Sequence, residues 1–199
     1  MNLPNSLTIT RIFLVPLLVV VLLTGRSPER ELWGFVVFFV AALTDYLDGY
    51  LARKRHQVTT LGKLLDPIAD KLLISAAFIS LVDLGIAPAW MVVIVVGREF
   101  AVTGLRSIAS AQGFTIDASR LGKLKMASQV VCISFLILGT RFPNTSASST
   151  GIFLLWIVVF LAMISMIQYF RKFWSQIDES FKKKQQQENS IPAKKSEVP

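Results

Sequence analysis

Cysteine and histidine are almost absent from this chain of 199 residues, with one of each, Cys132 and His56. A lone cysteine excludes an internal disulfide and gives no support to a Cys-rich zinc site. His56 follows Arg53-Lys54-Arg55, so it reads as a solvated loop residue rather than the base of a Ser-His-Asp or Cys-His triad. Cys132 reads as a small core hydrophobe. Charge is scarce too: 17% of residues are charged, against about 25% in ordinary soluble domains. The chain is instead 53% hydrophobic, with 14 Phe and 4 Trp. Together these exclude a disordered tail protein, a disulfide scaffold and a typical soluble enzyme, and make a bilayer the expected solvent. Any catalysis must rest on carboxylates and cations.

Basic residues outnumber acidic ones, 21 to 13, for a net charge of +8. In a soluble protein this excess would suggest nucleic acid; in a membrane protein it marks cytosolic loops and contact with anionic headgroups. Charge placement favours the membrane reading. Six apolar stretches run roughly over residues 12–23, 32–44, 72–87, 89–105, 126–139 and 152–168. Between them, Arg53, Lys54, Arg55 and Lys63 follow the second stretch, and Arg106, Arg120, Lys123 and Lys125 follow the fourth. Only Arg26, Arg30 and Arg141 follow the first, third and fifth. The expected fold is therefore all-α and polytopic: six transmembrane helices preceded by a short interfacial N-terminal segment (residues 3–11), with both termini cytosolic. No small-residue cleavage site follows the first stretch, which is expected to stay uncleaved, and Pro16 is expected to kink it. Residues 1–174 form the membrane-embedded domain, and 175–199, rich in Gln, Lys and Ser, are expected to be a disordered cytosolic tail.

The stretch from Leu32 to Thr44 is too short to span a ~30 Å hydrocarbon core at about 1.5 Å per residue, so Asp45 and Asp48 fall below the membrane surface. Asp66 and Asp70 stand at the entry to the third stretch. An unpaired intramembrane Asp costs about 2.5–3.5 kcal/mol on insertion scales, so four of them must be paired, solvated or bound to cations. Asp45 and Asp48 are spaced i, i+3, with Gly49 and Ala52 on the same stripe; Asp66 and Asp70 are spaced i, i+4, with Gly62 one turn earlier. Four hard oxygen donors in one cleft suit Mg²⁺ or Mn²⁺, and suffice for two ions. Singly each has a plainer reading. Asp66 before Pro67 reads as a helix N-cap, Asp48 before Gly49 as a turn, and Asp70 before Lys71 as a surface pair.

The string Asp45-x2-Asp48-Gly49-x2-Ala52-Arg53-x8-Gly62-x3-Asp66-x3-Asp70 resembles the signature of the CDP-alcohol phosphatidyltransferases, with every fixed position at that spacing. The resemblance covers roughly residues 1–174. It implies transfer of a phosphatidyl group from CDP-diacylglycerol to an alcohol with release of CMP. It also implies two divalent ions on Asp45, Asp48, Asp66 and Asp70, Asp70 as general base, and homodimers in the cell membrane with the active site facing the cytosol. Gly49, Ala52 and Gly62 match positions that accommodate the cytidine nucleotide, with Asp48 beside it and Arg53 in the same stretch. The membrane lipids are then the expected surroundings, and nucleic acid is not an expected partner.

Beyond the signature, Arg98, Glu99 and Arg106 lie in the fourth stretch, and Lys123 and Lys125 open the fifth, where Lys125, Ser128, Gln129 and Cys132 share one stripe. Glu99 cannot pair all these cations, and a phosphate on the incoming alcohol would. The plainer readings are snorkelling lysines and a structural Arg98–Glu99 pair, which, between sequence neighbours, is expected only across helices. Gly97-Arg98-Glu99-Phe100, Leu121-Gly122-Lys123-Leu124-Lys125, Leu65-Asp66-Pro67-Ile68-Ala69-Asp70-Lys71 and the opening Asn2–Thr8 with Arg11 resemble the bacterial phosphatidylglycerophosphate synthase branch of that family. That resemblance implies sn-glycerol 3-phosphate as acceptor, with Arg98, Arg106, Lys123 and Lys125 on its phosphate and Asn5 and Thr8 on the CDP-lipid headgroup. Other readings are the same chemistry with inositol phosphate or phosphatidylglycerol as acceptor, and a cation transporter built on intramembrane aspartates.

Overall fold

The structure, a computed structural model, describes the backbone of residues 3–24, 29–55, 60–112, 120–141 and 146–190, and side chains at 9–24, 29–44, 68–112, 125–141 and 149–178. Among the described residues there are six helices and no strand: α1 (Leu3–Thr24), α2 (Arg30–Arg55), α3 (Thr60–Asp83), α4 (Ala89–Ala111), α5 (Arg120–Gly139) and α6 (Ser146–Ser190).

Each apolar stretch anticipated from sequence is the centre of one helix, but the ends differ. The opening segment is not a separate interfacial piece. α1 runs unbroken from Leu3 and carries Pro16 inside it, where the missing N–H leaves one carbonyl without its helical partner. α6 does not stop at Trp174 but continues to Ser190. Residues 175–190 contain no Gly or Pro and are rich in Gln, Lys and Glu, all good helix formers, so the helix propagates past its apolar part. The sequence reading of 175–190 as disordered is corrected to helix; residues 191–199 lie outside the described ones.

α3 ends in a tight glycine cap. Gly85 takes φ 70°, its N–H bonds to the Val82 carbonyl, and the Ile86 N–H reaches back to Leu81 at 2.9 Å. This paired pattern closes the helix end and requires the left-handed backbone that glycine tolerates. Pro88, with φ −62°, then starts α4.

α1 and α2, α2 and α3, α3 and α4, and α5 and α6 are neighbours in the bundle. α3 packs on α1, α2, α4 and α5, while α6 packs on α4 and α5. α4 and α5, by contrast, approach within 8 Å nowhere among the described residues. They face each other across a ring formed by α3, α4, α6 and α5.

The bundle is apolar over one half of its length. Leu18 and Leu22 of α1, Phe38 of α2, Phe78 of α3, Met91 of α4, Ile133 of α5 and Leu155 of α6 belong to one buried cluster. Two helix pairs come very close there. A Cβ on Gly151 would lie 2.9 Å from Leu136 Cδ2 and 3.3 Å from its Cα, and one on Gly34 would lie 2.4 Å from Leu22 Cδ2. Every helix also shows large apolar side chains on its outer face, including Phe13, Phe39, Ile79, Val93, Phe135 and Phe160. Among the described residues one helix, over Ser149–Asp178, is long and apolar enough by itself to cross a membrane; Ile9–Thr24 and Lys125–Gly139 are shorter apolar helices. The expectation of six spanning helices thus meets six helices with a single clear span.

Candidate functional site

Alternation of helix direction gathers the sequence-predicted residues at one end of the bundle. These are the start of α1, the end of α2, the start of α3, the second half of α4, the start of α5 and the middle of α6. Asp45, Asp48, Gly49, Ala52 and Arg53 all fall within α2, which runs to Arg55. Asp48-Gly49 is therefore no turn. Gly62, Asp66 and Asp70 fall within α3, which starts at Thr60, so Asp66 is not its N-cap and Pro67 lies inside the helix. Both carboxylate pairs thereby keep the shared helical faces that their spacing demands, on two helices in contact. The side chains of Asn5, Thr8, Asp45, Asp48, Arg53, Ala52, Asp66 and Lys123, with Gly49 and Gly62, lie outside the described side chains. His56 lies outside the described residues altogether.

Asp70 is the described member of the acidic group. It is half-buried, and its charge reaches both Lys71 and Lys125. Arg106 is exposed on α4, and its charge reaches Lys71. One acid of the signature and three of the basic residues beyond it therefore share a single electrostatic neighbourhood.

Next to it lies a buried polar layer centred on Glu99. One oxygen, Glu99 Oε1, accepts from Arg98 Nη1 at 3.1 Å and from Gln129 Nε2 at 3.3 Å, and is also ion-paired with Lys125 Nζ. The second guanidinium nitrogen of Arg98, Nη2, donates to Ser165 Oγ of α6, and the guanidinium lies 6.0 Å from the Tyr169 ring centroid, within cation–π range. The side chains of Arg98 and Lys125 are 5% and 4% exposed, whereas Glu99 is 18% exposed. The carboxylate thus occupies the more open side of the layer. This layer ties α4, α5 and α6 together by charge, next to a small apolar cluster of Val102, Ala109, Tyr169 and Phe173.

Two expectations change. Arg98 and Glu99 do pair although they are sequence neighbours. Their side chains are long enough to converge from directions about 100° apart on the helix. Glu99 also serves two cations at once, leaving fewer free for a ligand than the residue count implied. The stripe of Lys125, Gln129 and Cys132 is buried as the spacing required, with Ser128 at its margin. Sequence reasoning did not single out Ser165 and Tyr169. Their signal is an i, i+4 pair continuing the buried stripe of Leu155, Val158 and Ala162 along α6.

Among the described residues no group of three or more His, Cys, Asp or Glu could hold a metal ion. The donors expected for divalent cations are the four aspartates of α2 and α3. Their chemistry fits: they are hard carboxylate oxygens, with spacings that keep each pair on one face of its helix.

Comparison with known proteins places this arrangement. The family model described as CDP-alcohol phosphatidyltransferase matches residues 1–167. The CDP-diacylglycerol–glycerol-3-phosphate 3-phosphatidyltransferase of Bacillus subtilis is 41% identical over 190 residues, covering 90% of this chain and 98% of the relative. The protein of the same name from Rickettsia typhi is 39% identical over 171 residues, 85% of this chain and 96% of its own length. Among solved structures, Mycobacterium tuberculosis phosphatidylinositol phosphate synthase with CDP-DAG bound aligns with a TM-score of 0.61 at 21% identity, over 87% of each chain. At that identity the likeness concerns the fold. With the family model spanning most of its length and relatives well above 30% identity along nearly all of it, this chain belongs to the CDP-alcohol phosphatidyltransferase family.

Proposed function

We propose that this protein transfers the phosphatidyl group of CDP-diacylglycerol to sn-glycerol 3-phosphate, giving phosphatidylglycerophosphate and CMP. The observation that carries this reading is the buried cationic layer of Arg98 and Lys125 around Glu99, in a chain whose α2 and α3 bear the signature aspartates. A general base beside a cationic patch suits an alcohol that carries a phosphate. The names of the relatives from Bacillus subtilis and Rickettsia typhi support the same acceptor.

Asp45, Asp48, Asp66 and Asp70 would hold two divalent ions, Mg²⁺ or Mn²⁺, whose charge would neutralise the pyrophosphate and make CMP a better leaving group. Asp70, within reach of the acceptor, takes the proton of its 1-hydroxyl as that oxygen forms a bond to the β-phosphorus. The bond from this phosphorus to the bridging oxygen breaks, and CMP leaves with the electron pair. Gly49, Ala52 and Gly62 leave room for the cytidine nucleotide, with Asn5, Thr8, Asp48 and Arg53 around the CDP-lipid headgroup. Lys125, Lys123 and Arg106 face the acceptor phosphate. Arg98, already bonded to Glu99 and Ser165, acts by holding this layer in place.

The enzyme sits in the cell membrane as a multi-pass homodimer, with the site and both termini toward the cytosol. Exposed apolar side chains on the outer face of every helix support a lipid surround, since a continuous apolar exterior of this kind is not sustained in water. The helices that fall short of spanning by themselves carry the site's charges. The membrane domain extends over residues 1–174.

The test is a detergent-solubilised assay with CDP-diacylglycerol and Mg²⁺, reading CMP and lipid product with each acceptor separately. CMP and phosphatidylglycerophosphate with glycerol 3-phosphate alone is the expected result. Release only with another alcohol would discard the acceptor, and no release from folded protein would discard the transfer.

A further inference from the structure

Glu99 has no place in the transfer step described above, yet it is the hub of the buried polar layer. Two features of its setting are unusual. First, it joins α4 to Lys125 and Gln129 of α5 across a diagonal where the two helices approach within 8 Å nowhere among the described residues. The bridge consists of long side chains joining two helices whose Cα atoms stay more than 8 Å apart among the described residues. Second, all three partners use one carboxylate oxygen, and Glu99 is the more exposed member of the layer.

We propose that Glu99 is a specificity-determining residue, a resident counter-anion that occupies Lys125 across the α4–α5 gap until the phosphate of an acceptor displaces it. Without a carboxylate there, Arg98 would lose its ion-pair partner and Lys125 would be left with the charge of Asp70 alone, a costly arrangement for two nearly buried cations. A phosphomonoester carries more charge than a carboxylate and offers three acceptor oxygens, so it competes for the ammonium. A neutral alcohol has nothing with which to open the pair. Glu99 thereby makes the phosphate a condition of productive binding. This inference rests on the proposed phosphorylated acceptor and on Lys125 as one of its contacts.

The experiment compares the full-length wild type with Glu99→Gln in detergent with Mg²⁺, varying each substrate in turn while the other is saturating. With the competitor's charge removed, the KM for glycerol 3-phosphate falls roughly three- to tenfold, while the KM for CDP-diacylglycerol stays within about twofold. In a Lys125→Gln background the same substitution no longer lowers the acceptor KM. An acceptor KM that is unchanged or raised in Glu99→Gln overturns the proposal, because a purely structural bridge gives that result. If Glu99→Gln does not fold, Glu99→Asp retracts the carboxylate by one methylene and lowers the KM by about twofold; a raised KM overturns the proposal there. A second readout needs no turnover. Inorganic phosphate raises the melting temperature of Glu99→Gln more than that of wild type, and an equal or smaller rise overturns the proposal. Should the wild type release no CMP with glycerol 3-phosphate, the proposed acceptor fails, while the phosphate-induced shift still decides the role of Glu99.

Discussion

The two halves of this bundle use the same six helices under opposite rules. Away from the site, α1 to α6 meet through Leu18, Phe38, Phe78, Met91, Ile133 and Leu155, and side-chain volume decides how closely they approach. At the site end, Arg98, Glu99, Lys125, Gln129 and Ser165 join α4, α5 and α6 in a charged layer, beside a smaller apolar cluster of Val102, Ala109, Tyr169 and Phe173 between α4 and α6. Volume tolerates no ligand, because a filled core has no exchangeable partner. A charged layer does, because one counter-ion can replace another. The contrast predicts that substitutions in the apolar half act on stability and those in the polar half act on turnover and substrate affinity.

The largest expected effect lies at the polar end. Asp70→Asn, which removes the proposed proton acceptor, is expected to lower the rate of CMP release by about a thousandfold or more, with CDP-diacylglycerol binding retained in an equilibrium binding measurement. Unchanged turnover in folded protein would remove Asp70 as base. Phe78→Ala, in the middle of the apolar half, leaves a cavity and costs about 3 kcal/mol of stability. The check is the melting temperature set against the acceptor KM; a shift in KM without a loss of stability would break the division between the halves. Ser165→Ala tests the boundary itself. It removes the hydroxyl that receives Arg98 Nη2 and is expected to cost about 1.5 kcal/mol, read as a lower melting temperature, with a smaller drift in acceptor KM through Arg98. The smallest effect is expected from truncation after Asp178. That cut spares Ile177, which packs against Tyr169 and Phe173, so specific activity in a CMP-release assay stays close to that of the intact chain. A large loss would assign the remainder of α6 a role in catalysis.

Much of this architecture was legible in the residues. Apolar stretches located all six helices because a chain with so little charge can place its few polar residues only at helix ends or in one layer. The Asp45–Asp48 and Asp66–Asp70 spacings required helical faces, and α2 and α3 provide helix through all four positions. Lys125 and Gln129 were legible as a stripe for the same reason. Other features were not. The Arg98–Glu99 pair depends on how two long side chains fold back on one another, which spacing does not encode. Ser165 was hidden because its place on the buried stripe of α6 says only that it is inside, while its partner is 67 residues away. The continuation of α6 to Ser190 was obscured because Gln, Lys and Ser suit a solvated tail and an exposed helix almost equally, and only the absence of Gly and Pro favours the helix.

The glycine at position 151 has a mechanical consequence. It lets α6 come so near to α5 that Leu136 leaves no room for a further methyl group, so the two helices are tightly packed at that point. A tilt of α5 about that contact would move its far end the most. From Leu136 to Lys125 the arm is roughly 17 Å at 1.5 Å per residue, so a tilt of about 5° carries the lysine some ~1.5 Å, enough to part an ion pair. A small rocking of one rod, amplified along its own length, would open and shut the ammonium's grip with no rearrangement at the fixed end.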